Sequence, residues 1–180
     1  MVTNGITQEG GQKILLMGLD NSGKSSILLS LKGDRNLMSY YSLKPTQAVA
    51  YNEVFDPGGH YFIWDMGGQS QYRTRHLEYL EHYLEGVSKI IYVIDVQDKG
   101  RYEESLQYLQ EILIKLQERR NKIQLVFYLH KFDPQIETDL NNSLHPAIDE
   151  LVRKIRQITN DPSVVIFKTS IYTIFRKIAV

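Results

Sequence analysis

Gly18-Leu19-Asp20-Asn21-Ser22-Gly23-Lys24-Ser25 is the stretch on which the reading of the whole chain turns. An apolar run, Ile14-Leu15-Leu16-Met17, precedes it, and a helix-like segment, Ser25 to Leu31, follows. That strand–loop–helix context is what the pattern G-x-x-x-x-G-K-[ST] needs in order to carry meaning. Its glycines let the backbone turn with N–H groups pointing inward, which makes a concave anion nest. The helix that follows adds its unpaired N-terminal N–H groups and the positive end of its dipole. Asp20, Asn21, Ser22, Gly23, Lys24, Ser25 and Ser26 are therefore expected to surround phosphate. Lys24 would reach the β- and γ-phosphates of a nucleotide, and the Ser25 hydroxyl would ligate Mg²⁺.

Composition narrows what such a loop could serve. The chain has 180 residues, enough for one α/β domain with a full core. Lys and Arg number 21, as do Asp and Glu, so nothing suggests nucleic-acid binding or general attraction to anionic lipid. There is no Cys, which removes disulfides, thiolate metal sites and cysteine-linked lipid anchors. Val2 stands where N-myristoylation needs Gly, and Met1 to Gln12 lacks the apolar core of a signal peptide. No apolar run is long enough to span a bilayer. A cytoplasmic location is the default expectation.

Residues 1–12 read as a flexible lead to a single domain, 13–180. Lys13 to Met17 reads as a buried strand, and Gly33 can end the helix that follows the loop. Asp34 to Pro45 reads as irregular. Thr46 to Phe55 and His60 to Asp65 are two strands joined by Asp56-Pro57-Gly58-Gly59, strong turn chemistry, and so form a hairpin. Tyr72 to Leu84 reads as a helix. Lys89 to Asp95, Ile123 to Leu129 and Val164 to Lys168 read as further strands. Arg101 to Glu118 is an amphipathic helix with Leu106, Leu109, Leu113 and Leu116 on one face. Pro146 to Ile158 and Ile171 to Val180 read as helices. Alternating strands and helices predict a three-layer α/β fold of the P-loop NTPase kind: a mostly parallel six-stranded sheet with one antiparallel hairpin strand.

Four more segments fall where a phosphate loop needs partners. Trp64-Asp65-Met66-Gly67-Gly68-Gln69 follows a strand. Asp65 at the strand end can hold Mg²⁺ beside Ser25, and Gly68 can bring its backbone N–H against a γ-phosphate. Gln69 has a donor and an acceptor, suited to orienting an attacking water. Thr46 could give Mg²⁺ a second hydroxyl, although alone it is an ordinary Thr opening a strand. His130-Lys131-Phe132-Asp133 ends a strand with a carboxylate, which matches the N1–H and 2-amino donors of guanine and not adenine. The Lys131 stem can pack over the purine face. Thr169-Ser170-Ile171 offers backbone N–H groups, from Ser170 and Ile171, to the guanine O6. His76 and His82, six apart, read as surface residues. Arg73 and Arg75 read as partner contacts in preference to an internal arginine finger.

Together these residues resemble the Ras-type small GTPases from Lys13 onward. The Gly18–Ser25 and Trp64–Gln69 motifs and Pro45-Thr46 look like the Arf branch. Ile14–Gly18, Ile91–Asp95, His130–Asp133 and Thr169-Ser170-Ile171-Tyr172 look like the Rag/Gtr branch, in which His replaces the usual Asn of the guanine motif. The resemblance implies a GTP-binding molecular switch that hydrolyses GTP to GDP slowly, with Mg²⁺ as cofactor. It implies an activating protein, an exchange factor and effectors as partners, and it is compatible with recruitment to membranes through partners and with homo- or heterodimers. Residues about 36–47 and 66–76 are expected to change between nucleotide states. The Arf branch adds a sliding of the hairpin Thr46 to Asp65. A non-hydrolysing guanine-nucleotide scaffold and a metabolic nucleotide kinase are the alternatives. The kinase would need an Arg-rich lid that the sequence does not offer.

Overall fold

Ile14, Leu15, Leu16 and Met17 are all buried, and strand alternation sends them to opposite faces of one sheet. Leu15 and Met17 join Ile90, Tyr92, Leu109 and Leu151 in a large cluster, while Ile14 and Leu16 join Ile27, Ile63 and Val93 in a second. A strand apolar on both faces needs cover on both, and helices supply it. The computed structural model of the chain describes residues 11–34, 36–116, 122–138 and 144–171.

The strands are β1 (Gly11–Met17), β2 (Val49–Asp56), β3 (Gly59–Met66), β4 (Val87–Asp95), β5 (Gln124–His130) and β6 (Val165–Lys168). The helices are α1 (Lys24–Leu31), α2 (Leu37–Tyr41), α3 (Ser70–Glu78), α4 (Leu80–Tyr83), α5 (Tyr102–Lys115), α6 (Pro134–Thr138) and α7 (Leu144–Thr159). The sheet order is β2-β3-β1-β4-β5-β6. Only β2 with β3 is antiparallel, so the expected six-stranded, three-layer fold is the one observed. Leu106, Leu109, Ile112 and Leu113 of α5 and Ile148, Leu151 and Ile155 of α7 cover one face. Ile27 and Leu28 of α1 cover the other. Each such side chain contributes about 1.5–3 kcal/mol by leaving water, so the two faces, not the loops, hold the domain.

Local chemistry explains where the elements depart from expectation. The segment 34–45 holds a short helix, α2, because the Asn36 side chain accepts the Met38 N–H at 3.0 Å and caps it. The predicted helix 72–84 starts two residues earlier and breaks at Tyr79 (φ −107°, ψ 17°), after which Leu80 and Leu84 enter the core. β2 begins at Val49, not Thr46, because Ala48 takes a left-handed backbone, φ 53°. The hairpin turns through Pro57-Gly58, with the Gly58 N–H on Asp56 Oδ1 at 2.6 Å. Of the lead expected over 1–12, Gly11 and Gln12 belong instead to β1, where they pair with His60 and Tyr61, and 1–10 lie outside the described residues, as do the end of the Arg101–Glu118 helix and all but Ile171 of the helix expected over 171–180.

Candidate functional site

Parallel pairing puts the C-terminal ends of β1, β3, β4, β5 and β6 on one edge of the sheet, and open α/β sheets bind ligands there. The loops leaving those ends are 18–23, 67–69, 96–98, 131–133 and 169–171. The antiparallel β2 brings its leading segment, Thr46 to Ala48, to the same edge.

The loop after β1 is held open by backbone that few side chains tolerate. Gly18 has φ 136°, and a Cβ there would stand 2.2 Å from the Val93 carbonyl oxygen. Gly23, at φ 94°, caps α1 without offering a side chain to its N–H groups. A Cβ on it would stand 2.3 Å from His130 Cδ2. The first turn of α1 carries no acidic residue, so its N-terminal amides face a cleft of about 230 Å³ with nothing anionic of their own. Asp20, Asn21, Gly23, Lys24, Ser25 and Ser26 line this cleft from one side, and Thr46, Gly68 and Gln69 from the other. Ser22 does not: its hydroxyl turns inward onto the Leu19 carbonyl at 2.8 Å, leaving only its backbone as a donor.

Lys24 is 5% exposed, and its Nζ donates to the Leu19 carbonyl at 2.6 Å and the Gly18 carbonyl at 3.1 Å. Desolvation lowers its pKa to about 8, against the attraction of Asp65 and Asp20. Beside it, Ser25 Oγ donates to Asp65 Oδ2 at 2.6 Å, Thr46 Oγ1 donates to the same oxygen at 3.0 Å, and the two hydroxyls stand 3.0 Å apart. Asp65 is 1% exposed, and its Oδ1 has no hydrogen-bond partner among the described residues. A buried carboxylate oxygen left unpaired is costly. Two hydroxyls and a carboxylate are an all-oxygen set that suits Mg²⁺, which takes few protein ligands and completes its shell with water and phosphate. Among the described residues no cluster of three or more His, Asp or Glu could hold a metal by itself. The group thus fits Mg²⁺ that arrives with a phosphate.

Gly67 and Gly68 thread a gap with no room for a side chain. A Cβ on Gly68 would stand 2.1 Å from the Asp20 nitrogen, and one on Gly67 would stand 2.6 Å from the Thr46 carbonyl oxygen. Gln69 follows at the start of α3 and faces the cleft half-buried.

The second half of the edge gathers the remaining predicted residues. His130 is buried, and its Nδ1 shares a hydrogen bond of 2.9 Å with Thr169 Oγ1. Its ring edge packs on Gly23, and desolvation lowers its pKa. Ser170 Oγ donates to Asp133 Oδ1. Lys131 takes a left-handed backbone, φ 59°, and pairs with Asp95 Oδ2 at 2.6 Å. Ile171 follows Ser170, partly exposed.

Some features were read differently from the sequence or were missed. His76 is buried, not a surface residue: it is 1% exposed, with its ring edge-on to Tyr83 at 5.7 Å. Neither ring nitrogen has a hydrogen-bond partner among the described residues, and it faces the Ala48 backbone. Arg73 is paired within the domain: Glu104 holds its guanidinium over the Tyr108 ring. Glu104 also holds Arg101 at 2.9 Å, and Arg101 reaches Asp20 Oδ1 at 2.6 Å. Arg101 gave no signal in the sequence, and neither did Gln97, whose Nε2 donates to the Lys131 carbonyl at 2.8 Å and to Asp133 Oδ2 at 2.9 Å.

Comparisons with known proteins bear on the family and the fold. The family model of the Gtr1/RagA G protein conserved region matches residues 13–176. ADP-ribosylation factor-like protein 3 of Chlamydomonas reinhardtii is 33% identical over 126 residues, 70% of this chain. The match spans 66% of that relative's own length, just under two thirds. The structure of the Arl6 BBS3 small GTPase from Trypanosoma brucei, with bound nucleotide analogue GppNp, superposes with a TM-score of 0.68. It covers 89% of this chain and 87% of its own, at 20% identity, a likeness of fold.

Proposed function

Since the chain belongs to the Gtr1/RagA G-protein family of Arf/Rag-like small GTPases in the Ras superfamily, we propose that it is a guanine-nucleotide switch that hydrolyses GTP slowly and binds effectors in one nucleotide state. The observation that carries this reading is the Ser25–Thr46–Asp65 triangle at the mouth of the phosphate loop, with Asp65 Oδ1 unpaired among the described residues. It draws a residue from each of three segments to the point where a γ-phosphate and its metal would sit.

Phosphoryl transfer asks for positioning and charge stabilisation more than for covalent chemistry. Lys24 and the backbone N–H groups of residues 20–26 would hold the phosphate oxygens. Ser25, Thr46 and Asp65 would hold Mg²⁺, whose contribution when bound is to offset charge on the phosphate oxygens. Gly68 packs against the phosphate loop at Leu19 and Asp20, from where its N–H would meet a γ-phosphate, and Gln69 would orient water for in-line attack. Arg73 and Arg101 are both committed to carboxylates, so neither is placed to stabilise the transition state. Slow intrinsic turnover follows, with an activating protein supplying what is missing. Asp133 would read guanine, with Lys131 beside the base and Ser170 and Ile171 near O6. An exchange factor, effectors and a cytoplasmic setting complete the proposal, with any membrane recruitment or dimerisation running through such partners.

Single-turnover assay of the purified chain with GTP, read by chromatography of GTP and GDP, tests the reading. Slow conversion to GDP supports it. Binding without conversion, with and without cell extract as a source of activator, supports the scaffold alternative. Equal displacement of labelled GDP by ATP and GTP removes the guanine claim.

A further inference from the structure

We propose that Gln97 is a positioning residue for guanine recognition, through which the Asp133 carboxylate is held in the orientation that reads the base; the proposal rests on the guanine reading above. Gln97 lies in the loop after β4, outside every motif visible in the sequence. Its Nε2 has two protons, and both are used: one on the Lys131 carbonyl at 2.8 Å, the other on Asp133 Oδ2 at 2.9 Å. Its backbone N–H donates to Asp95 Oδ1 at 2.9 Å, and the other oxygen of Asp95 pairs with Lys131 Nζ at 2.6 Å. Asp95, Gln97, Lys131 and Asp133 therefore form one closed network between the ends of β4 and β5.

The network answers a local need. Lys131 sits at φ 59°, a backbone that a non-glycine residue keeps only when its surroundings hold it there. Gln97 grips that residue's carbonyl, and Asp95 grips its side chain. Phe132 is tied from the other side, its N–H donating to the Thr169 carbonyl at 3.0 Å. Asp133 is then fixed on both oxygens, by Gln97 on Oδ2 and by the Ser170 hydroxyl on Oδ1. A carboxylate has about four acceptor sites, so two stay available for the paired donors of a guanine edge. Held at both oxygens, the carboxylate presents those sites in one plane. Freed of Gln97, it can turn, and a two-point reader becomes a one-point reader. Gln97 is itself exposed and belongs to neither apolar cluster, so its replacement leaves the core intact.

The test is displacement of fluorescent GDP from the full chain by GDP, IDP, XDP and ADP, for wild type, Gln97→Ala and Gln97→Glu. IDP keeps the N1–H but lacks the 2-amino group, so it makes only one of the two contacts with Asp133. Gln97→Ala is expected to weaken GDP about tenfold and IDP less, narrowing the GDP/IDP preference. Gln97→Glu sets a second carboxylate against Asp133 and is expected to weaken GDP further. In an Asp133→Asn background, where XDP becomes the preferred ligand, Gln97→Ala should no longer change the GDP/IDP ratio. Equal losses for GDP and IDP would mean that Gln97 only supports the loop, and that overturns the proposal. Tighter GDP binding by Gln97→Ala also overturns it, because the carboxamide would then be competing with the base. A wild type that does not prefer GDP to ADP removes the guanine reading, and this proposal with it. A wild type that prefers GDP, with a ratio unmoved in Gln97→Ala, removes this proposal alone.

Discussion

Ser25 Oγ donates to Asp65 Oδ2 at 2.6 Å, joining the first turn of α1 to the end of β3 across 40 residues of chain. The two side chains hold each other at the place where a metal would separate them. Mg²⁺ bound with nucleotide is expected to draw on both, so either substitution should loosen the metal without touching the core. In wild type, chelation of Mg²⁺ should speed GDP release. In Ser25→Ala, release without chelator should rise by about 10- to 100-fold toward the chelated rate. Stopped-flow release of a fluorescent GDP measures this; a variant with an unchanged rate and unchanged response to chelator would dissociate Ser25 from the metal.

Gln69→Leu is expected to leave GTP affinity within a factor of about three and to cut turnover about tenfold or more. The side chain faces the cleft from the start of α3, next to Gly68, which packs against the phosphate loop, so it is expected to bear on an attacking water and not on the ground-state phosphate. Single-turnover rates with saturating GTP decide the matter. Wild-type turnover by the variant, alone and with extract as activator, would remove the role.

The layout of strands and the five motifs were legible because each rests on a local rule. A buried strand shows as an apolar run, and a phosphate loop shows as fixed glycines before a Lys. Residues that act across the fold leave no such trace. Gln97 matters because β4 and β5 end side by side, and Arg101 because α5 begins opposite Asp20. His76 misled for a related reason: a polar residue in a weakly patterned helix reads as exposed, but the break at Tyr79 lets α3 lie with His76 against Ala48. The Asn36 cap that makes α2 was a single side-chain bond, below what periodicity can resolve.

Residues about 36–47 and 66–76 should exchange amide hydrogens differently in GDP and GTP-analogue states. α2 has no buried residue, and Met38 and Tyr41 are 68% and 83% exposed, so few apolar contacts oppose its rearrangement. Thr46 and Gly68 are the groups that a third phosphate would engage, and only such differential contacts shift the balance. Mass-spectrometric exchange should show changes of about tenfold in these segments, with the sheet unaltered. Identical protection in both states would sink the switch. Changes that extend into Val49–Val54 and Tyr61–Trp64 would add a sliding of the hairpin, whose present register pairs Val49 with Met66.

His76 should make the fold sensitive to mild acid. Burial lowers its pKa to about 4, with Lys24 and Arg75 adding to the effect and the Ala48 backbone opposing it. In the unfolded chain the same imidazole titrates near 6.5. Between pH 6.5 and 4 the unfolded chain therefore binds a proton that the folded chain does not, so stability rises with pH across that window and falls as the solution is acidified through it. One proton amounts to about 1.4 kcal/mol per pH unit, so this group alone can remove up to about 3 kcal/mol between pH 6.5 and 4. His76→Phe keeps a ring against Tyr83 and abolishes the titration. Urea unfolding at pH 7 and pH 5 should show the wild type losing about 2 kcal/mol more than His76→Phe on acidification. Carboxylates that titrate in the same range act on both proteins and cancel in the comparison. An equal loss in the two would mean that His76 meets solvent or finds a partner when it is charged, and its burial under α3 would then not be a source of acid sensitivity.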